Sequence, residues 1–246
     1  MCPHRGESIL ENSNKIKGII LAVVLLIASI SSAVYGKSIK TSFQDNVEFN
    51  NYLKNQDLRV RTDNAYPYDA DYDLYGAGEK IHTFDDLQKK SDVIVKAKLT
   101  ADYQRKIYRE CIFSEAEVLK CYKGNLKKGQ KLHMFEPVNC TGFENPMLCE
   151  GGYMPMINND QYYLFLMKVK NSHFSEDQYV YLPISLTYGK YKADQTNPRL
   201  FRNNQVDSDD REKLLSYSQV KNQEVLLCDK HDYKKFLDLK KKVLKL

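Results

Sequence analysis

Between residues 92 and 192 one strand-like segment follows another with no helical period between them, and this constrains the fold more than any other feature. In 92–101, Val93, Val95, Ala97 and Leu99 alternate with more polar positions, the period of a half-buried strand. A second strand is expected over 107–122, with Ile112, Ala116, Val118 and Tyr122 on one face. It ends in Lys-Gly-Asn-Leu-Lys-Lys-Gly-Gln (123–130), where two glycines set a turn, and 131–136 returns as its hairpin partner. Further strands are expected over 162–169, 179–184 and 186–192, the last around Gly189. The segment 137–160, with Cys140, Cys149 and Gly151-Gly152, reads as an irregular connection. Strands in succession without crossover helices favour a small barrel or sandwich over a parallel α/β sheet.

Helices are expected only at the periphery. Thr83 stands three residues before Asp86, a capping pattern that opens a short helix ending near Ser91. From Ser208 the run Asp-Asp-Arg-Glu-Lys-Leu-Leu reads as another short helix behind an Asp or Ser cap. Over 232–246, Phe236, Leu239, Val243 and Leu246 recur at three or four residues, which makes an amphipathic helix. Its lysines suit anionic head groups or wall polymers; equally, they form a solvated face with the apolar stripe docked on the barrel.

One uncharged apolar run, from Ile19 to Val34, follows Lys15 and Lys17. Its length lies between a signal-peptide core and a full span of about 20 residues, so either reading implies export. Retention gives a single-pass cell-membrane anchor with an extracytoplasmic C-terminal domain. Cleavage near Ala33 or Gly36 gives a secreted protein. The expected organisation is a leader over 1–17, a membrane or signal segment over 18–36, and a tether or loosely docked arm over 37–80. A barrel over 81–204 and a helical extension over 205–246 follow.

The formal net charge of +5 does not indicate nucleic acid as a partner. Residues 230–246 hold seven lysines against Asp232 and Asp238, so the basicity is terminal and the body is near neutral. A nucleic-acid binder carries a basic face on the fold or a recognisable module, and neither is present.

Five of the six cysteines, Cys111, Cys121, Cys140, Cys149 and Cys228, follow the apolar run. Five is odd, so at least one stays free or pairs between chains. Cys140 and Cys149 enclose a turn-rich octapeptide and form the expected disulfide. Cys111 and Cys121, if on one extended strand, stand about 33 Å apart and cannot bridge.

No catalytic signature is visible. His4, His82, His133, His173 and His231 are isolated, without His-Glu-x-x-His spacing, and no Gly-x-Ser-x-Gly elbow occurs. No cofactor is expected. Asp69, Asp71 and Asp73 alternate as in the start of a calcium loop and are the metal candidates. Leu74 and Lys80, however, occupy the positions where an EF-hand needs Gly and Glu. Tyr66, Tyr68, Tyr72 and Tyr75 are candidates for stacking on sugar or binding a protein partner.

Three motifs carry a resemblance. They are Phe84-x-x-Leu87-x-x-x-Ser91-Asp92-Val93-Ile94-Val95-x-Ala97-x-Leu99, then Ala116-x-Val118-Leu119-Lys120-x-Tyr122-Lys123-Gly124, and Gly151-Gly152 with Asp160-x-Tyr162-Tyr163-Leu164-Phe165-Leu166. In this order, over about 81–192, the chain resembles exported proteins of low-GC Gram-positive bacteria. Their core is similar to the OB-type barrel of tissue inhibitors of metalloproteinases and netrin modules. The resemblance implies a mainly β fold, an OB-like barrel of five or six strands with peripheral helices. It does not carry over the inhibitor chemistry, which needs an N-terminal cysteine at the barrel. The expected function is a non-catalytic binding or interaction module of the cell envelope, with a protein or glycan partner. The alternatives are a surface hydrolase with a site hidden by sequence distance, and a membrane-surface protein acting through the Lys-rich terminal helix.

Overall fold

The computed structural model describes residues 48–54, 58–63, 81–108, 111–140, 146–169 and 180–246. The run from Ile19 to Val34, the sites at Ala33 and Gly36, the carboxylates of Asp69, Asp71 and Asp73, and the four arm tyrosines lie outside them. No helix among the described residues is long and apolar enough to cross a membrane.

Five strands close into a barrel: β2 (Val93–Leu99), β4 (Cys111–Lys123), β5 (Lys131–Glu136), β8 (Gln161–Lys168) and β9 (Val180–Pro183). Numbered along the chain as barrel strands one to five, they are ordered 1-2-3-5-4-1. The pairing of β5 with β9 is parallel, and the other four are antiparallel. One edge of β8 pairs with β2. The other is divided between β9 and a short strand, β10 (Lys190–Lys192). The interior is filled by Val93, Val95, Ala97 and Leu99, the face read from their alternation, with Ala116, Val118, Leu132, Met134, Tyr162, Leu164 and Leu166. Register shifts at Ile94/Val95 and Lys96/Ala97 bend the pairing of β2 with the thirteen-residue β4, the curvature a narrow barrel requires. Gly124 turns out of β4 at φ +97°, and a Cβ there would lie 3.0 Å from Val93 Cγ2.

Three regions differ from expectation. The second predicted strand is divided into β3 (Lys106–Tyr108) and β4, which pair as a hairpin. Of 186–192 only β10 is extended, because Gly189 N–H turns back to Ser185 O at 3.0 Å and a Cβ at Gly189 would strike that oxygen. The connection 137–160 contains β6 (Val138–Asn139) and β7 (Met147–Glu150), joined by β1 (Val60–Asp63) in parallel to β7.

The last sheet brings described parts of 37–80 into the body. Phe49 and Tyr52 of a one-turn helix, α1 (Phe49–Tyr52), join Leu58 and Val60 in a second core with Met147, Cys149 and Leu226. Arg105 secures this piece, its guanidinium 4.6 Å from the centre of the Phe49 ring. These segments are too short for a period to register in the sequence. The described residues from 48 to 246 belong to one compact unit.

The capped helix is present as α2 (Phe84–Lys90), with reciprocal Thr83 and Asp86 bonds. Lys123 Nζ donates to the carbonyls of Gln88 and Lys89 at its far end. Beyond β10 come α3 (Asn203–Val206), a 3-10 turn (Arg211–Lys213) capped by Asp210, and α4 (Tyr217–Val220). The terminal helix α5 (Lys230–Val243) buries Phe236, Leu239 and Val243 in a third core with Ile94, Phe165 and Tyr191. Its apolar stripe is therefore docked.

The expected disulfide is not formed: Cys140 and Cys149 are buried free thiols. The β6–β7 register sets Val138 opposite Cys149 and Asn139 opposite Leu148, leaving Cys140 diagonal to Cys149 instead of facing it. Burial raises both thiols far above their ordinary range. Cys111 and Cys121 do share one strand, β4, and are unbridged.

Candidate functional site

The candidate site is a polar cleft above a buried ion cluster, assembled from β10, the loops 193–199 and 221–224, and α5. On β10 the side chains of Lys190 and Lys192 fall on one side and Tyr191 on the other, as strand alternation requires. Tyr191 enters the third core. Along its outer edge β10 meets a side chain where another strand would lie: Lys192 N–H donates to Glu224 Oε2 at 2.5 Å.

Glu224 is the centre of the cluster. Its other oxygen accepts from Lys240 Nζ, and both side chains are 2% exposed. Lys240 Nζ also donates to Thr196 O at 2.6 Å and lies 3.8 Å from Asp194 Oδ1. Lys192 Nζ is 2.6 Å from Asp160 Oδ2 and donates to Asn222 O at 3.4 Å. Burial raises the Glu224 carboxyl, and the neighbouring ammoniums and the Lys192 N–H oppose that rise. At Asp194 burial acts upward too, but the Thr196 hydroxyl and N–H, with Lys240 and Lys192, hold the carboxyl below its ordinary value.

Above this floor is a cleft of about 290 Å³ lined by Lys192, Asp194, Thr196, Asn197, Pro198, Asn222, Gln223 and Glu224. Its walls are fixed to each other and to the floor. Asp194 Oδ1 accepts from the Thr196 N–H and hydroxyl, shaping the first loop. Arg199 N–H donates to Gln223 Oε1 at 2.8 Å, tying the first loop to the second. Tyr233 OH on α5 donates to Pro198 O at 3.1 Å. Each charge at the floor is engaged by an opposite charge or a backbone group.

A second carboxylate, Glu136, is fully buried. It accepts from Ser114 Oγ at 2.6 Å and Met156 N–H at 2.7 Å, with Arg105 at 3.5 Å. Arg105 in turn donates to Met156 O at 2.7 Å. Lys190 lies near it, donating to Met154 O and standing 3.8 Å from the Tyr153 ring centre. Burial lowers Lys190 to about 8, against the pull of Glu136 and Glu224.

Among the described residues, Asp229, His231 and Asp232 could bring ligand atoms together for a metal. Their carboxylates already have work: Asp229 Oδ1 caps α5 by accepting from His231 and Asp232 N–H, and Asp232 accepts from Tyr188 OH. On the outer face of β4 and β5, Phe113, His133 and Phe135 form a ring cluster with Tyr103 and Tyr108. His133 Nε2 is 3.1 Å from Glu115.

None of the side chains lining the cleft was singled out in the sequence as a site residue. Lys192 and Glu224 belong to no motif in the sequence, and only Lys240 gives a readable sign. It lies four residues after Phe236 and three before Val243, a charge on the apolar stripe of a helix. A buried lysine requires a buried partner, and here the partner is Glu224. Compared with known proteins, the chain matches no family model, no curated protein and no solved structure.

Proposed function

We propose that this chain is a non-catalytic binding module of the cell envelope, its barrel OB-like and displayed outside the membrane by the segment from Ile19 to Val34. The observation that carries the binding reading is the cleft over Glu224: about 290 Å³, polar, with loops held in place by hydrogen bonds above the buried Lys240–Glu224 pair. Ligand sites are concave, largely pre-formed and few per protein, and loops carried by a rigid scaffold are where binding concentrates. The 1-2-3-5-4-1 order with a parallel closing pair supports the OB-like reading, an architecture that hosts binding functions on its loops and sheet face. The uncharged run behind Lys15 and Lys17 supports export and attachment. These features agree with the resemblance to exported Gram-positive proteins.

The test is photo-crosslinking of the full-length protein in intact cells, with the reactive residue at Asn197 on the rim and, as a control, at Lys241 on the exposed face of α5. A saturable adduct formed only from Asn197, and removed by protease added outside the cells, is the expected result. An adduct protected from external protease, or chemical conversion of the captured molecule by the purified protein, overturns the reading.

A further inference from the structure

We infer that the cleft takes one uncharged polyhydroxyl ring, a single sugar unit; this rests on the binding reading above and names its ligand class. Size is the first constraint. Small-molecule sites span about 300–1,000 Å³, and this cleft, at about 290 Å³, is at the lower end. One ring fits such a volume, and an oligomer enclosed along its length does not.

Charge is the second constraint. The lining side chains contribute Lys192 against Asp194 and Glu224, and Lys240 beneath them restores balance. An anion would need a free cation, but Lys192 is committed to Asp160 and Asn222 O, and Lys240 to Glu224 and Thr196 O. A metal ion would need a free carboxylate pair. Both Glu224 oxygens accept protein hydrogens, and Asp194 Oδ1 accepts two from Thr196. A zwitterion would need both free charges at once. Breaking the contacts of Lys192, Lys240 or Glu224 would leave a buried group uncompensated, which is strongly unfavourable.

What remains is neutral and bifunctional. The side-chain amides of Asn197 and Asn222 make no hydrogen bond among the described residues, and Gln223 uses only its oxygen, leaving its NH₂ group. Each asparagine offers an acceptor and two donors. Such groups match hydroxyls, which also donate and accept. Apolar ligands have little to bury here. Because the loops are tied before a ligand arrives, little ordering is left to oppose binding.

The experiment uses the full-length protein in detergent micelles, followed by saturation-transfer NMR and calorimetry. The probes are a neutral hexose, an N-acetylhexosamine, a hexuronate, glycine and inorganic phosphate, with isolated wall glycan as a polymeric source of the same rings. The expected result is saturable binding of a neutral sugar with a Kd of the order of 1 mM, weaker by at least tenfold in Asn197→Ala/Asn222→Ala with an unchanged melting temperature. Lys234→Gln leaves it unchanged. Binding to the polymer but to no free ring keeps the chemistry and assigns the source to a terminal glycan unit. Tighter binding of phosphate, glycine or hexuronate overturns the inference, as does equal binding by the double variant or no saturable binding of ring or polymer. If rim-specific crosslinking in cells persists while sugar binding fails, only the ligand class falls. If ring binding occurs and the protein converts the ring, the non-catalytic reading falls.

Discussion

Glu136 and Glu224 are both almost fully buried carboxylates held by cations, yet they do different things for the molecule. Glu136 bonds to Ser114 Oγ and Met156 N–H, groups enclosed by the fold, and its cation Arg105 holds α1 against the barrel. Glu224 bonds to the edge of β10 and to a helix lysine, and two loops with an open cleft lie above it. The same chemistry closes one region and shapes a recess in the other. Burial of a charge therefore does not mark a site; what its partners leave accessible does.

The largest effect is expected where the carboxylate is enclosed. Glu136→Ala leaves Arg105 without its counter-charge and Ser114 Oγ and Met156 N–H without their acceptor, and removing one partner of a buried pair costs about 3–5 kcal/mol. Denaturant unfolding of the full-length protein checks this. A loss below about 1 kcal/mol would mean that water reaches the site. Glu224→Gln should cost less, about 2 kcal/mol, because the amide still accepts from Lys192 N–H while Lys240 loses its counter-charge. Glu224→Gln/Lys240→Met should recover most of that loss, since a matched apolar or neutral replacement of both partners is often near neutral. If the double variant is no better than the single one, Lys240 contributes through Thr196 O and not through the ion pair.

How much of this was legible follows from the same distinction. The barrel interior was readable because Val93, Val95, Ala97 and Leu99 alternate along seven strand residues, and the capped helix because Thr83 and Asp86 act within four residues. Local periods and local bonds leave local patterns. The second sheet was not readable, because β1 pairs with β7 across more than eighty residues and each has only four. The cleft failed for the same reason: Lys192, Glu224 and Lys240 meet through tertiary contact alone. The Cys140–Cys149 expectation counted the intervening residues correctly but could not know the register that separates the thiols. Asp69, Asp71 and Asp73 lie outside the described residues.

Lys190 stands between the two carboxylates and gives a pH-dependent way to compare them. Its burial lowers the ammonium from 10.5 to about 8, so the folded state releases this proton before the unfolded chain does. Between about pH 8 and 10.5 the unfolded state binds more proton, and the Lys190 contribution to stability rises with pH. The raised Cys140 and Cys149 thiols act oppositely from about pH 9, where the unfolded chain begins to lose their protons. The informative quantity is therefore wild type against Lys190→Met from pH 7 to 9. The variant should be more stable by about 1–2 kcal/mol at pH 7, and its advantage should shrink as pH rises. A constant difference would mean that Glu136 and Glu224 hold Lys190 charged throughout.

The smallest expected effect separates Lys240 from the lysines beside it. Lys240 is on the buried face of α5, whereas Lys234, Lys241, Lys242 and Lys245 are exposed; Lys241 has only a 3.9 Å contact with the exposed Asp238. Neutralising these four to Gln should change stability by no more than about 0.5 kcal/mol, the range for surface substitutions. It removes four positive charges while the docked stripe of Phe236, Leu239 and Val243 stays in place. Deleting 230–246 would instead strip the third core and could not separate charge from fold. The charge variant thus tests the Lys-rich face by itself. Cosedimentation with phosphatidylglycerol vesicles that is lost in the variant at unchanged melting temperature would assign this face to a membrane surface. Unchanged cosedimentation leaves Lys234, Lys241, Lys242 and Lys245 as a solvated face, in contrast to Lys240 with its buried partner Glu224.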